Sequence, residues 1–404
     1  MNKNLVALVF LFVIGKSDFA QGTMATRTSV TNGNFSNPLT WDCTCVPIPS
    51  DVIIVNHDVT LNLDYGFSSG SLTVNTGASL IGDISSRAFG ITGGSFANNG
   101  TVQLGDFYHG GGSFSNTGTF TALNAFAIDM SANTITSGTF VVNDTLYVNT
   151  NATFANSGNA TVYSHENAGT TNNTGSIVGT DLYNSGTFNN TSGIGITFGS
   201  LYTSGTFSNT TNLYLVFDLW NSGIFTNSNH MVIDRNFWNG DTLLGSATLT
   251  NNGTISVAND LSNSQIMNGS GDYCVANSSY NSGTVSGTLD VCDLTGTNFD
   301  TNIGSIAGTV TFCSAGSCMI GMDEAMNNEP YKLFPNPFNN EFTIDMKTSG
   351  AYKFILLNSV GQIVLENSFT GTKIQIELST QAKGIFHYRI VGENRVLSGK
   401  LVKE

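Results

Sequence analysis

Three ten-residue segments of this chain are near copies of one another: DLYNSGTFNN from Asp181, SLYTSGTFSN from Ser200 and DLWNSGIFTN from Asp218. They begin 19 and 18 residues apart. A repeat of that period describes a unit too small to bury its own apolar face, so neighbouring units must stack. Within the repeat, Tyr183, Tyr202, Trp220 and Trp238 form one aromatic column, and Phe188, Phe207 and Phe225 form a second. Gly186, Gly205 and Gly223 lie between the columns, where the chain is expected to bend, and Asn190, Asn209 and Asn227 form a polar column. Leu213, Leu215 and Phe217 alternate with other residues, the pattern of a strand with one buried face.

A helical solenoid needs a period of 3.6 and helix-forming residues, and the repeat has neither. Short strands with Gly, Asn and Ser turns predict an all-β chain built as a parallel β-helix, its coils about 4.8 Å apart. Stacked aromatics are then expected to fill the interior, and asparagines to form amide ladders along the axis. Weaker copies, GSFANNGTV from Gly94 and GSFSNTGTF from Gly112, extend the pattern. The solenoid is placed at 51–313, about 13 or 14 coils and about 60 Å of rod. Arg235 falls where Phe198 and Phe217 stand in earlier coils. An unpaired buried Arg is very costly, so the chain is expected to have turned outward there.

Charge marks a boundary. No Lys occurs between Lys16 and Lys332, and the net charge is −14. An acidic chain of this kind repels phosphate backbones, so no nucleic acid is expected as a partner. At the start, Lys3 precedes an apolar run from Leu5 to Ile14, which is too short to span a bilayer and suits a signal peptide over 1–20, cleaved after Ala20. No transmembrane span is expected in the mature chain. Six cysteines in an exported chain point to disulfides, since their spacings are not those of a zinc site. Six cysteines allow 15 pairings, among which the sequence does not choose; if Cys274 and Cys292, 18 residues apart, lie at one position of neighbouring coils, they can form a rung-to-rung pair, with Cys313–Cys318 closing the end and Cys43–Cys45 left as a local pair.

Both ends carry family signals. Asn32-Gly33-Asn34-Phe35-Ser36, Thr40-Trp41, Val46-Pro47 and the alternating run from Asp51 to Leu61 resemble the entry segment of secreted Bacteroidota β-helix proteins. The reading is a cap over 28–62 in which Phe35 and Trp41 plug the first coil. After an acidic linker at 314–330, residues 331–404 alternate in the manner of a small antiparallel β-sandwich, with strands at Lys353–Leu357, Ile363–Leu365 and Ile374–Leu378. The segment LFPNP with Pro335, Asn336 and Pro337, the Val360-Gly361-Gln362 triplet, GIFHY with Gly384 and Tyr388, and GKLVK with Gly399, Lys400 and Lys403 resemble the C-terminal sorting domain of type IX secretion system cargo of Bacteroidota. That resemblance implies Sec export to the periplasm, passage through the type IX machinery, cleavage by a sortase-like peptidase within the linker, and release or linkage to surface lipopolysaccharide.

Chemistry is sparse. A lyase needs a base, often Lys or Arg, and the solenoid has no Lys and only scattered Arg. A glycoside hydrolase needs two carboxylates about 5–10 Å apart. Asp181 and Asp218 stand two coils apart at equivalent positions, about 9.6 Å along the axis, with Asp234 two residues before the equivalent Asn236. An Asp at a turn also caps backbone without any catalytic role. The five histidines are dispersed, and no metal or cofactor site is read. Two functions remain: a non-enzymatic surface adhesin, glycan binder or rod, which is favoured, and a secreted polysaccharide-active enzyme, hydrolase before lyase. In the first, a surface glycan is contacted by Tyr, Trp and Asn along one face; the sequence leaves open which of these point outward.

Overall fold

Along the short strands Tyr202, Thr206, Ser208 and Tyr214 alternate with Leu201, Thr203, Phe207, Asn209, Leu213 and Leu215, and this alternation places the second set inward. The computed structural model describes residues 24–403, except 192–194, 241–246, 297, 315–317, 319–330, 359–362, 380 and 393–394. The signal-peptide segment 1–20, most of the linker 314–330 and Gly361 lie outside the described residues. The chain divides into two units, Met1–Cys318 and Met319–Glu404.

The first unit is a parallel β-solenoid of about 13 coils. Each coil supplies three strands to three faces. Ser200–Thr203, Thr206–Asn209 and Leu213–Leu215 make one coil, paired in parallel with Leu219–Asn221, Ile224–Asn227 and His230–Ile233 of the next. Register is exact along the repeat: Phe188, Phe207 and Phe225 are direct partners, stacked at 5.0 and 4.9 Å inside the solenoid. The tight corner before them requires glycine, because a Cβ on Gly205 would collide with the carbonyl oxygen of Gly186.

Asparagines tie the coils together inside the corners. Asn190 Nδ2 donates to Asn209 Oδ1 at 2.8 Å, and Asn209 Nδ2 donates to Asn227 Oδ1 at 2.9 Å. A second ladder, which the repeat carries as the residue before Ser-Gly, runs from Asn221 through Asn239 and Asn263 to Asn281, at 2.7–2.8 Å per step. Each amide both donates and accepts, so a polar column is buried at no cost in unpaired groups.

The entry segment is already coiled. Thr26–Thr28 pairs in parallel with Val52–Val55, and Asp51, which is buried, accepts bonds from Ala25 N, Ile48 N and the Arg27 guanidinium. Phe35 and Trp41 are buried at this end, 5.1 Å apart, with the Trp41 indole N–H donating to Phe35 O. Arg235 is exposed, its guanidinium over the Phe217 ring, so the chain has turned outward as expected.

The disulfide pairing differs from the sequence expectation. Cys43–Cys45 is present, but Cys274 pairs with Cys318 and Cys292 with Cys313. Cys274 and Cys292 are direct partners on adjacent strands, where side chains project side by side and not toward each other. The chain beyond Thr311, which bridges to Asp290, passes over this face and delivers one sulfur to each.

The second unit is a five-stranded antiparallel sheet curled around its own core, which includes Phe342, Phe354, Leu356, Phe386, Ile390 and Leu401. The strand Glu341–Leu357 is central and pairs along its length with Ile363–Glu377. The runs at Ile363–Leu365 and Ile374–Leu378 are therefore not separate strands: the polar residues between them keep their ladder bonds, and one long strand results. Among the described residues the only helix is one 3₁₀ turn, Pro38–Thr40, and none is long and apolar enough to cross a membrane.

Candidate functional site: an exterior aromatic ladder

Of the two aromatic columns, only the phenylalanines are interior. Tyr183, Tyr202, Trp220 and Trp238 face solvent, correcting the expectation that both fill the core. The reason is strand alternation: Leu182, Leu201, Leu219 and Phe237 precede them and point inward, so the next residue of each strand points out. The four rings stack at 4.9, 4.5 and 4.6 Å, tilted by no more than 14° from one another. Stacked faces shield one another from water, while the phenol hydroxyls and indole edges stay at the surface.

The ladder has an acidic margin. Asp181 lies two residues before Tyr183, and Asp218 two before Trp220. Burial raises the Asp181 carboxyl above its ordinary range, and its charge in turn raises the Tyr183 and Tyr202 hydroxyls, each already raised more strongly by burial. Two of the three candidate carboxylates have hydrogen-bond partners of their own. Asp218 accepts the Asn236 backbone N–H at 3.0 Å and its side-chain amide at 2.9 Å, a cap from one coil to the next. Asp64, Asp106 and Asp260 make the same bond, to the backbone N–H groups of Ala88, Ala125 and Ser278. Asp234 accepts from the Tyr214 hydroxyl. Asp181 stands a coil before Ser200, at the far side of it from Asp218.

In the second unit the sequence-predicted sorting residues form a structural cluster. Asn336, between Pro335 and Pro337, donates to Lys400 O and accepts from Val402 N, both at 2.9 Å, which pins the last strand. Tyr388 bonds the Tyr331 hydroxyl at 2.6 Å, and its ring lies where a side chain on Gly399 would stand. Lys403 is buried, its ammonium donating to Leu378 O and Gln381 O at 2.6 Å each. Gly384 opens the strand that pairs with this last one, at φ +153°.

Two buried histidines escaped the sequence reading. His109 and His165 sit at inward positions of the ladder face; His109 Nδ1 lies 2.7 Å from Thr134 Oγ1, and His165 Nε2 lies 3.1 Å from Thr171 Oγ1. Period-two spacing from Phe107 was the available signal for His109.

A parallel β-solenoid carrying an outward aromatic ladder, followed by a separate antiparallel sheet, defines a repeat-built passenger with a terminal module. Residues 332–404 match the family described as the secretion system C-terminal sorting domain. The chain is thus a type IX secretion cargo with a β-helix passenger, exported across the outer membrane to the cell surface or released. Comparison with curated proteins and with solved structures finds no match.

Proposed function

We propose that the β-helix is a non-enzymatic glycan-binding rod, displayed at the cell surface or released there after export. One observation carries this reading: four stacked Tyr and Trp rings are held at the solvent face of a chain that otherwise coats itself with Thr, Ser and Asn. Tyr183 is exposed and the other three rings are half-buried by their stacking, and an outward aromatic row of this length marks a recognition surface. Its exposed edges combine apolar carbon with hydroxyl and indole donors at a regular step of about 4.8 Å, which suits a polymer of hydroxylated rings. Asp218 caps the next coil and Asp234 holds a tyrosine hydroxyl, which gives these two acids a structural role beside the ladder. In this reading the cluster of Pro335, Asn336, Pro337, Gly384, Tyr388, Gly399, Lys400 and Lys403 shapes the surface read by the type IX machinery, and a sortase-like peptidase cuts upstream of it.

The test is retention of the full chain on a polysaccharide panel, with and without calcium, scored together with release of reducing and unsaturated ends. Retention without release is expected, and Tyr202→Ser and Trp220→Ser abolish it. Product release overturns the non-enzymatic reading and makes Asp181, Asp218 and Asp234 the first residues to replace. Absence of both retention and release overturns glycan binding.

A further inference from the structure

The exterior column extends beyond the four stacked rings on both sides with three interruptions, at Ala127 between Tyr108 and Tyr147, at Glu166 between Tyr147 and Tyr183, and at Ser262 between Trp238 and Tyr280, and of these three interrupting residues Glu166 alone is ionisable. Coil by coil its middle part runs Tyr147, Glu166, Tyr183, Tyr202, Trp220 and Trp238, each the direct strand partner of the next. Where rings occupy consecutive coils they stack at 4.5–4.9 Å. Tyr147 and Tyr183 are two coils apart, about 9.6 Å along the axis. Between them the column lacks one ring, and Glu166 forms the floor of the place that ring would take.

The floor is acidic, and no cation faces it among the described residues. Glu166 is half-buried, and no described residue donates a hydrogen bond to it. Burial first, and the charge of Asp144 second, raise its carboxyl above the ordinary range. Asp144 and Glu166 also raise the Tyr147 hydroxyl, after burial, while Asp181, Glu166 and Tyr163 act on Tyr183. Tyr163 is 60% exposed beside this group. Three carboxylates and three tyrosines thus share one patch. The described arginines of the solenoid are occupied elsewhere: Arg27 with Asp51, Arg87 with Asp64 and Asp83, and Arg235 over Phe217. No Lys lies between Lys16 and Lys332.

We infer that the gap between Tyr147 and Tyr183 binds an amine-bearing sugar ring, with its flat face between the tyrosines and its ammonium on the Glu166 carboxylate. The inference rests on the glycan-binding reading and names the class of glycan. A neutral sugar fills the gap but leaves the carboxylates without a counter-charge. A bare alkylammonium neutralises them but leaves the ring's place empty. An amino sugar does both, and its cation gains from the tyrosine π-faces as well as from the carboxylate.

The test measures binding of the full chain to hexamers of β-1,4-linked glucosamine, N-acetylglucosamine and glucose, and to hexalysine. Three proteins are compared: the parent, Glu166→Gln and Glu166→Tyr. The tyrosine substitution supplies the missing ring, so it closes the gap while extending the stack. The glucosamine hexamer is expected to bind the parent about tenfold or more tightly than the two uncharged hexamers. Both substitutions are expected to remove that advantage, and the melting midpoint of Glu166→Tyr is expected to equal or exceed the parent's. Equal binding of the three sugar hexamers, unchanged by either substitution, overturns this inference and leaves glycan binding standing. Failure of the parent to bind any sugar overturns both. Hexalysine bound as tightly as the glucosamine hexamer overturns the sugar assignment in favour of a cationic peptide.

Discussion

The solenoid and the sorting domain are both all-β, yet they are held together by opposite means. In the solenoid each contact is a copy: Phe207 sits between Phe188 and Phe225, and Asn209 between Asn190 and Asn227. Stability is then close to a sum of like terms between neighbouring coils, and damage is felt first by the coils beside it. In the sorting domain the contacts occur once. The buried Lys403 ammonium, the two-ended Asn336 amide and the Tyr331–Tyr388 pair have no second copy to share the load. A repeat buys length, whereas a closed sheet depends on a few singular bonds. The repeated inward columns are amides and rings, with Asp51 and Asp218 buried singly under capping bonds, while the curled sheet buries one lysine capped by carbonyl oxygens.

The largest expected effect breaks a copied contact. Phe207→Ala should cost about 3–5 kcal/mol by emptying the centre of a stack. Hydrogen exchange should show lost protection in the coils around Phe188 and Phe225, with residues 331–403 unchanged. If the loss spreads evenly through both units, the neighbour-by-neighbour account is wrong.

Singular polar bonds come next. Lys403→Met strips Leu378 O and Gln381 O of their donor and should cost about 2 kcal/mol in denaturant unfolding of the sorting domain. Asn209→Ala takes from Asn190 the acceptor and from Asn227 the donor that Asn209 supplies, and should cost a similar amount, this time in the solenoid. A negligible cost for Asn209→Ala would mean that water replaces a ladder member.

Acid should separate the two units. Burial lowers His109 to about 4 and His165 to about 3, from an ordinary value near 6.5. His109 Nε2 and His165 Nδ1 have no hydrogen-bond partner among the described residues. Below about pH 6.5 the unfolded chain takes up protons that the folded solenoid refuses until about pH 4 at His109 and about pH 3 at His165. Solenoid stability is therefore full above pH 6.5 and declines as the pH falls toward 4. Urea midpoints at pH 7.5, 5.5 and 4.5 measure this, and His165→Leu should flatten the curve. The smallest effect belongs to the exterior: Trp220→Ser removes two stacking contacts, worth about 1 kcal/mol of stability, while abolishing retention on glycan.

Much of the architecture was legible in one dimension. Equal spacing of like residues dictates stacking in register, because only then does each phenylalanine meet a phenylalanine and each asparagine an asparagine. The three near copies thereby determined the parallel β-helix, the stacking of the phenylalanines and the Asn190–Asn209–Asn227 ladder. The combination of LFPNP, GIFHY and GKLVK determined the sorting domain. A repeat, however, says which residues align and not which side of the strand they occupy, since a shift of one residue exchanges inside for outside. Only the tertiary structure decided that the Tyr/Trp column faces solvent, that Asp218 caps Asn236, and that Glu166 interrupts a stack of rings. The disulfides were decided in the same way: Cys274 and Cys292 align in sequence, but their side chains run parallel, and the returning chain end brings Cys318 and Cys313 to them.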